Sequence, residues 1–383
     1  MHFGAGQSFE LGHAPYCRKT EARSELFRRY FPVFRLRLPL RRDRLVQDLV
    51  PGAAQYQDRV PFVCFVVICA NSGRFFAALL FNSCATSAKA MVKNFACRFR
   101  FCKADAMFEN SIRRMPRPQD VQRLNTQELR DTFLITNLFT PDQLNGTFTD
   151  LDRLVVGGVM AVKPVALPNH KETGRAFFLG RRELGAINVG GAGAVHADGK
   201  TFSLGRLNCV YLPMGTRSVT FESKDAKKPA KFYFLSCPAH AAHPAAMMKP
   251  KEATPVPLGS ATAANQRTIY KYIHPGGIQS CQLVMGFTAL DKGSVWNSFP
   301  PHTHWRRTEI YFYFDLGANV LTHFLGEPQQ TRHLFLHNEE AALSPNWSIH
   351  CGCGTGNYKF IWGMAGENQT FEDMDGVKPG DLR

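Results

Sequence analysis

His302-Thr303-His304 constrains the chain more than any other short stretch, because in an extended backbone alternate side chains share a face. His302 and His304 then point at one ion while Thr303 points away. Residues 305–308 make a short connection, and Glu309 opens the aromatic and β-branched run Ile310-Tyr311-Phe312-Tyr313-Phe314, read as the returning strand of a hairpin. A third imidazole, His350, follows the Pro345 turn. A lone histidine would be ordinary in a chain that has 13 of them, but the full spacing selects His302, His304, Glu309 and His350 as metal ligands. Three His and one Glu suit a borderline divalent ion such as Zn, Fe, Mn or Ni, whereas Ca and Mg prefer all-oxygen shells.

Strand signals surround this pattern. From Leu151 onward, runs such as Leu154-Val155-Val156, Phe177-Phe178-Leu179, Ala186 to Val189, Cys209 to Leu212, Ser218 to Phe221 and Lys231 to Leu235 are punctuated by Gly, Pro and Asp-Gly turns. A second set runs from Thr268 to the C-terminus, through Cys281 to Met285, Val295-Trp296, Val320 to Phe324, Leu334 to His337, Ala341 to Leu343 and Tyr358 to Gly363. Regular short strands predict an all-β chain of sandwich or barrel type. Before them, residues 123–136 predict a short helix with Asn125 or Thr126 as N-cap. Gly190-Gly191-Ala192-Gly193 leads into the hairpin turn Asp198-Gly199 and not into a helix, so it reads as a turn and not as a phosphate loop. Residues 238–267, rich in Pro and Ala at their start, read as an interdomain linker, with His240 and His243 as solvent-exposed loop residues. The expected organisation is a metal-free β-sandwich over 107–237, the linker, and a metal-bearing β-sandwich over 268–383, related by internal duplication.

Charge separates off the first 106 residues. They hold 17 Lys and Arg against 7 Asp and Glu, whereas residues 107–383 hold 29 against 24, so the net +15 is concentrated at one end. Without a recognisable nucleic-acid motif, this distribution argues against DNA or RNA as partner. Residues 1–106 carry apolar stretches at Val60 to Ala70 and Phe75 to Phe81, each too short for a bilayer span of about 20 residues. They are read as a poorly ordered extension or upstream sequence, with the functional chain expected to begin at Met107. Six of the 11 cysteines also fall there, and their irregular spacing, with an odd total, argues for reduced thiols. Cys351 and Cys353 alternate with Gly352 and Gly354, which favours a Gly-rich turn over soft ligands.

The His-x-His, Glu and distant His pattern resembles the cupins, and closer motifs narrow the resemblance. Arg181 to Gly193, Pro301-His302-Thr303-His304-Trp305-Arg306-Arg307, Glu309 to Phe314, Gly326 to His333 and Trp362 to Gln369 look like the 5-keto-4-deoxyuronate isomerases, also called 4-deoxy-L-threo-5-hexosulose-uronate ketol-isomerases. The resemblance covers about Met107 to Arg383. It implies two cupin-like jelly-roll domains, one zinc per subunit on His302, His304, Glu309 and His350, a cytoplasmic homohexamer, and a small keto-deoxyuronate substrate from pectin breakdown.

Such an isomerisation removes a proton beside a carbonyl, passes through an enediol and returns the proton, and a divalent Lewis acid suits it. By strand parity Tyr311 and Tyr313 share the face of Glu309, so both are candidates for proton relay or substrate hydrogen bonding. Arg332 or Arg307 could fork a substrate carboxylate, and His333 and His337 are further acid/base candidates. An Fe(II) cupin dioxygenase and a non-catalytic sugar-acid-binding cupin are the competing functions that the ligand set also allows.

Overall fold

The computed structural model describes residues 64–71, 74–81 and 112–383. Cys64–Asn71 and Arg74–Phe81 pair antiparallel, with Cys64 opposite Phe81. The reading of residues 1–106 as an extension, and of Met107 as the functional start, otherwise lies outside the described residues. Residues 112–383 belong to one compact unit.

Within that unit the expected two β-sandwiches are present. In the first, a four-stranded sheet ordered Lys200–Leu204, Gly193–Ala197, Val219–Ser223, Val165–Ala166 faces a seven-stranded sheet. The larger sheet runs Ala246–Met248, Cys209–Leu212, Arg182–Asn188, Lys231–Pro238, Val155–Met160, Leu144–Thr149, Ile112–Arg113. The second sandwich has its own seven-stranded sheet, Val256–Leu258, Arg267–Ile273, Val284–Leu290, Lys359–Gly366, Arg307–Phe314, Glu340–Ser344, Leu134–Ile135. Its four-stranded partner is ordered Trp296–Asn297, Cys351–Gly354, Leu321–Glu327, Gln330–Leu336.

The two seven-stranded sheets pack on each other, so both faces of their strands are covered. Phe232 and Phe234 enter the first sandwich while Tyr233 and Leu235 enter the core between the sheets. Likewise Ile310, Phe312 and Phe314 face that shared core, and Tyr311 and Tyr313 face the interior of the second sandwich. Tyr233 and Phe312 stack across the junction with ring centroids 4.3 Å apart. Full burial of one such aromatic contributes about 2–3 kcal/mol. Alternation therefore sorts each strand between two interiors, which is why these runs look apolar throughout.

Several boundaries differ from the sequence reading. The helix is Thr126–Phe133, with Asn125 and Glu128 forming a capping box. It lies in the N-terminal stretch, yet Leu129 and Phe133 pack into the second sandwich and Leu134–Ile135 pairs with Ala341 and Ala342. Inside 238–267, read above as a linker, Ala246–Met248 pairs with the Cys209 strand and Val256–Leu258 with the Arg267 strand. Phe178–Arg181 is a 3-10 turn where a strand was expected. Gly193–Ala197 and Lys200–Leu204 form the hairpin that Asp198-Gly199 implied.

Candidate metal centre

The second sandwich brings His302, His304, Glu309 and His350 together, with their ligand atoms all within 4.8 Å of one another. His304 Nε2 and His350 Nε2 lie 3.0 and 2.7 Å from Glu309 Oε2, and His302 Nε2 lies 3.1 Å from the Nε2 of each of the other two imidazoles. Among the described residues this is the one group of three or more His, Cys, Asp or Glu side chains so arranged. His304, Glu309 and His350 are buried and His302 is half-buried. Nitrogen lone pairs converging at this distance repel unless a cation lies among them, and an N3O set is the chemistry of a borderline divalent ion. The residues present therefore fit such an ion.

The backbone that delivers them is not the expected hairpin. His302–Thr303 pairs with Asp375–Gly376, whereas Arg307–Phe314 has both edges occupied, by Glu340–Ser344 and Lys359–Gly366. No edge is left for the His302 strand to pair with, so the connection arches between sheets. Parity still holds on each side, placing His302 with His304 and Glu309 with Tyr311. Gly366 permits the close approach: its φ is +153°, and a Cβ there would sit 2.4 Å from the Arg306 carbonyl oxygen. His350 follows the turn in which Ser348 N–H donates to Pro345, and Ile349 N–H ties it to the Gly326 carbonyl at 2.9 Å.

Neighbouring groups orient these side chains. His304 Nδ1 donates to the Asp373 carbonyl at 2.8 Å, which assigns the lone pair to Nε2, the atom facing the site. Arg307 Nη2 donates to the same carbonyl at 2.8 Å, and Arg306 and Asn368 hold the Asp373 carboxylate. The Arg306 and Asn368 hydrogen bonds keep that carboxylate well below the usual range. Burial raises the Glu309 carboxyl, but His350 and His304 outweigh it and keep it ionised. Burial, then the neighbouring His350, lowers His302 to about 3.

A cavity of about 310 Å³ opens on this cluster, in the size range of small-molecule sites. His302, His304, Glu309 and Tyr311 line it together with Ser298 and Arg267. Tyr311 Oη lies 2.8 Å from Ser298 Oγ, and burial, then the Glu309 charge, raises its phenol well above the ordinary value. Tyr313 shares the predicted face but lies deeper, fully buried, with its hydroxyl 2.8 Å from His323 Nδ1. Arg332 is not brought to the site, since its guanidinium donates to the Val121 and Leu124 carbonyls at 2.7 Å. Arg307 is buried beside His304 and does not line the cavity. Trp305, His333 and His337 are exposed and also stand outside it. His240 and His243 join no metal group, and the thiols of Cys351 and Cys353 are free. Ser298 and Arg267 escaped the sequence reading, because both sit outside the His and Glu strand pattern. The only signal for Arg267 was a cation opening a β-branched and aromatic strand.

The model of the KduI/IolB family matches residues 134–377. The 4-deoxy-L-threo-5-hexosulose-uronate ketol-isomerase of Opitutus terrae is 53% identical over 270 residues, covering 70% of this chain and 98% of that protein. The protein of the same name from Halalkalibacterium halodurans is 48% identical, covering 70% and 97% respectively. Among solved structures, an IolB-like protein from Salmonella typhimurium LT2 aligns at 17% identity over 58% of this chain and 86% of that one, with a TM-score of 0.49. A family match over most of the chain, with near-complete coverage of relatives at about half identity, establishes that the chain belongs to the KduI/IolB family.

Proposed function

We propose that this protein is a zinc-dependent ketol-isomerase converting 4-deoxy-L-threo-5-hexosulose uronate to 3-deoxy-D-glycero-2,5-hexodiulosonate in uronate catabolism. The observation that carries the reading is the 53% identity to the Opitutus terrae enzyme over 98% of its length. The cluster of His302, His304, Glu309 and His350 on a cavity of suitable size supports it. Conversion of an aldehyde at C1 and a hydroxyl at C2 into a hydroxyl at C1 and a ketone at C2 moves hydrogen within one molecule, so no external oxidant enters. The proposal includes one zinc per subunit, a homohexamer and a cytoplasmic location, as the family resemblance implies. No helix among the described residues is long and apolar enough to cross a membrane.

When bound, a divalent ion supplies Lewis-acid stabilisation of negative charge on the substrate oxygens. His304 holds its Nε2 lone pair toward the site through the Asp373 carbonyl, and Glu309 contributes a permanent carboxylate. Tyr311, on the cavity wall with its hydroxyl 2.8 Å from Ser298 Oγ, is placed to hydrogen-bond a substrate oxygen. Phe299, Phe360, Trp362, Met364, Phe371 and Met374 line the same cavity with apolar surface, which lowers the local dielectric and strengthens each polar contact.

The test is an anaerobic assay of zinc-loaded protein on the hexosulose uronate, with the product identified by NMR. Stoichiometric isomerisation is expected. Absence of conversion by fully zinc-loaded protein would overturn the reading, and oxygen-dependent turnover by an iron-loaded form would replace it with the dioxygenase.

A further inference from the structure

The cavity has two chemically distinct ends. One carries His302, His304 and Glu309, and Glu309 is engaged by His304 and His350. The other carries Arg267, the one Lys or Arg lining this cavity among the described residues. Arg267 opens the strand Arg267–Ile273, opposite Leu258 on one side and Leu290 on the other. It is half-buried, and among the described residues its guanidinium makes a single hydrogen bond, from Nη1 to the Asn265 carbonyl at 2.8 Å.

Cations of this unit are satisfied in one of two ways: Arg332 and Arg182 donate to two backbone carbonyls each, and others have carboxylate partners. Arg306 pairs with Asp373, Arg206 and Lys359 with Asp315, and Lys231 with Glu339. Arg267 has none among the described residues, although Leu258, Ile269 and Phe360 give its part of the cavity apolar walls. A guanidinium left without an anion in such surroundings is costly, and burial accordingly disfavours its charged form, offset in part by the Tyr311 and Tyr358 oxygens. It is also the geometry that a carboxylate fills best, because the planar fork offers two parallel N–H donors.

We infer that Arg267 is the specificity-determining residue of this cavity, receiving the carboxylate of an acidic sugar whose reacting carbons lie at the His302, His304 and Glu309 end. The inference rests on the proposed isomerase reading for the direction in which the substrate lies. It makes the protein selective for sugar acids over neutral sugars of the same length, with Arg267 acting on binding and the opposite end acting on chemistry.

Zinc-loaded wild type, Arg267→Met and Arg267→Lys are compared in two measurements, after equal zinc content and melting temperature have been verified. The first is competitive binding of D-galacturonate and D-galactose, which differ only at C6. Wild type is expected to favour the acid by roughly tenfold or more, Arg267→Met to bind both alike, and Arg267→Lys to recover part of the preference. The second is steady-state isomerisation of the hexosulose uronate, where Arg267→Met is expected to raise KM roughly thirtyfold with kcat changed less than about fivefold. Retention of the galacturonate preference in Arg267→Met, an equal response of wild type to both sugars, or a loss confined to kcat overturns the inference. If wild type distinguishes the sugars through Arg267 but isomerises nothing, the inference stands and the isomerase reading falls.

Discussion

The two sandwiches set a seven-stranded sheet against a four-stranded one in the same way, yet they enclose opposite chemistry. The first is filled by Val195, Val219, Phe221, Phe232 and Phe234, with the Phe221 and Phe234 rings stacked at 6.2 Å. The second places Glu309, Tyr311, Tyr313, His323 and His350 in the corresponding space between its sheets. A polar interior is tolerated only where its groups satisfy one another. Tyr311 meets Ser298, Tyr313 meets His323, Asn297 meets Tyr358, and Glu309 meets two imidazoles. The difference therefore lies in which side chains occupy the inward face, and the strand framework is common to both.

The largest expected effect comes from breaking the polar interior at the proposed metal ligands. His304→Ala should abolish stoichiometric zinc in elemental analysis and lower isomerase kcat/KM on the order of a thousandfold. Retained zinc and near-normal turnover in that variant would remove the second sandwich's claim to the chemistry.

Next in size is the junction that holds the sandwiches together. Glu183, fully buried on the first, accepts from the N–H groups of Cys281, Gln282 and Leu283 on the second at 2.7–2.9 Å, and from the Tyr211 hydroxyl at 2.8 Å. Glu183→Ala leaves these donors unpaired and should cost about 3–5 kcal/mol in urea unfolding. A change under about 1 kcal/mol would mean that the two sandwiches do not depend on this carboxylate.

Acid should distinguish the interiors more gently. Burial, then the charge of His350, lowers His323 to about 3 from an ordinary 6.5. Because the folded value lies below the unfolded one, the contribution is fully present above pH 6.5 and declines as pH falls toward 3. At pH 5 the loss is about 2 kcal/mol, at roughly 1.4 kcal/mol per pH unit. His323→Phe should flatten that part of the stability profile, and an unchanged slope between pH 6.5 and 5 would show that His323 is not its source. The smallest effect belongs to the first sandwich, where His196 and Glu222 form a partly exposed pair at 2.8 Å with side chains 37% and 46% accessible. His196→Ala should leave activity and zinc content unchanged and cost about 0–1 kcal/mol.

Much of this was legible from residue order. Alternation located most strands, because a pleated backbone assigns side chains to faces whatever the strand pairs with, and that rule put His302 with His304 and Glu309 with Tyr311. Pairing was less legible. The expected hairpin between the His302 and Glu309 strands is replaced by pairing with Asp375–Gly376, a partner some 70 residues away that no local signal marks. Residues 126–135 resembled part of the first sandwich by proximity but pack on the second, since burial of Leu129 and Phe133 depends on which apolar face is open.

The sequence by itself determined the all-β class, the two sets of strands and the four converging donors, because spacing and local geometry carry that information. Only the tertiary structure decided that Arg332 binds backbone carbonyls while Arg267 faces the cavity, that Tyr313 is core and Tyr311 is wall, and that Asp373 orients His304. Those assignments depend on how separate strands stack across a sheet, and distance along the chain does not encode distance across it.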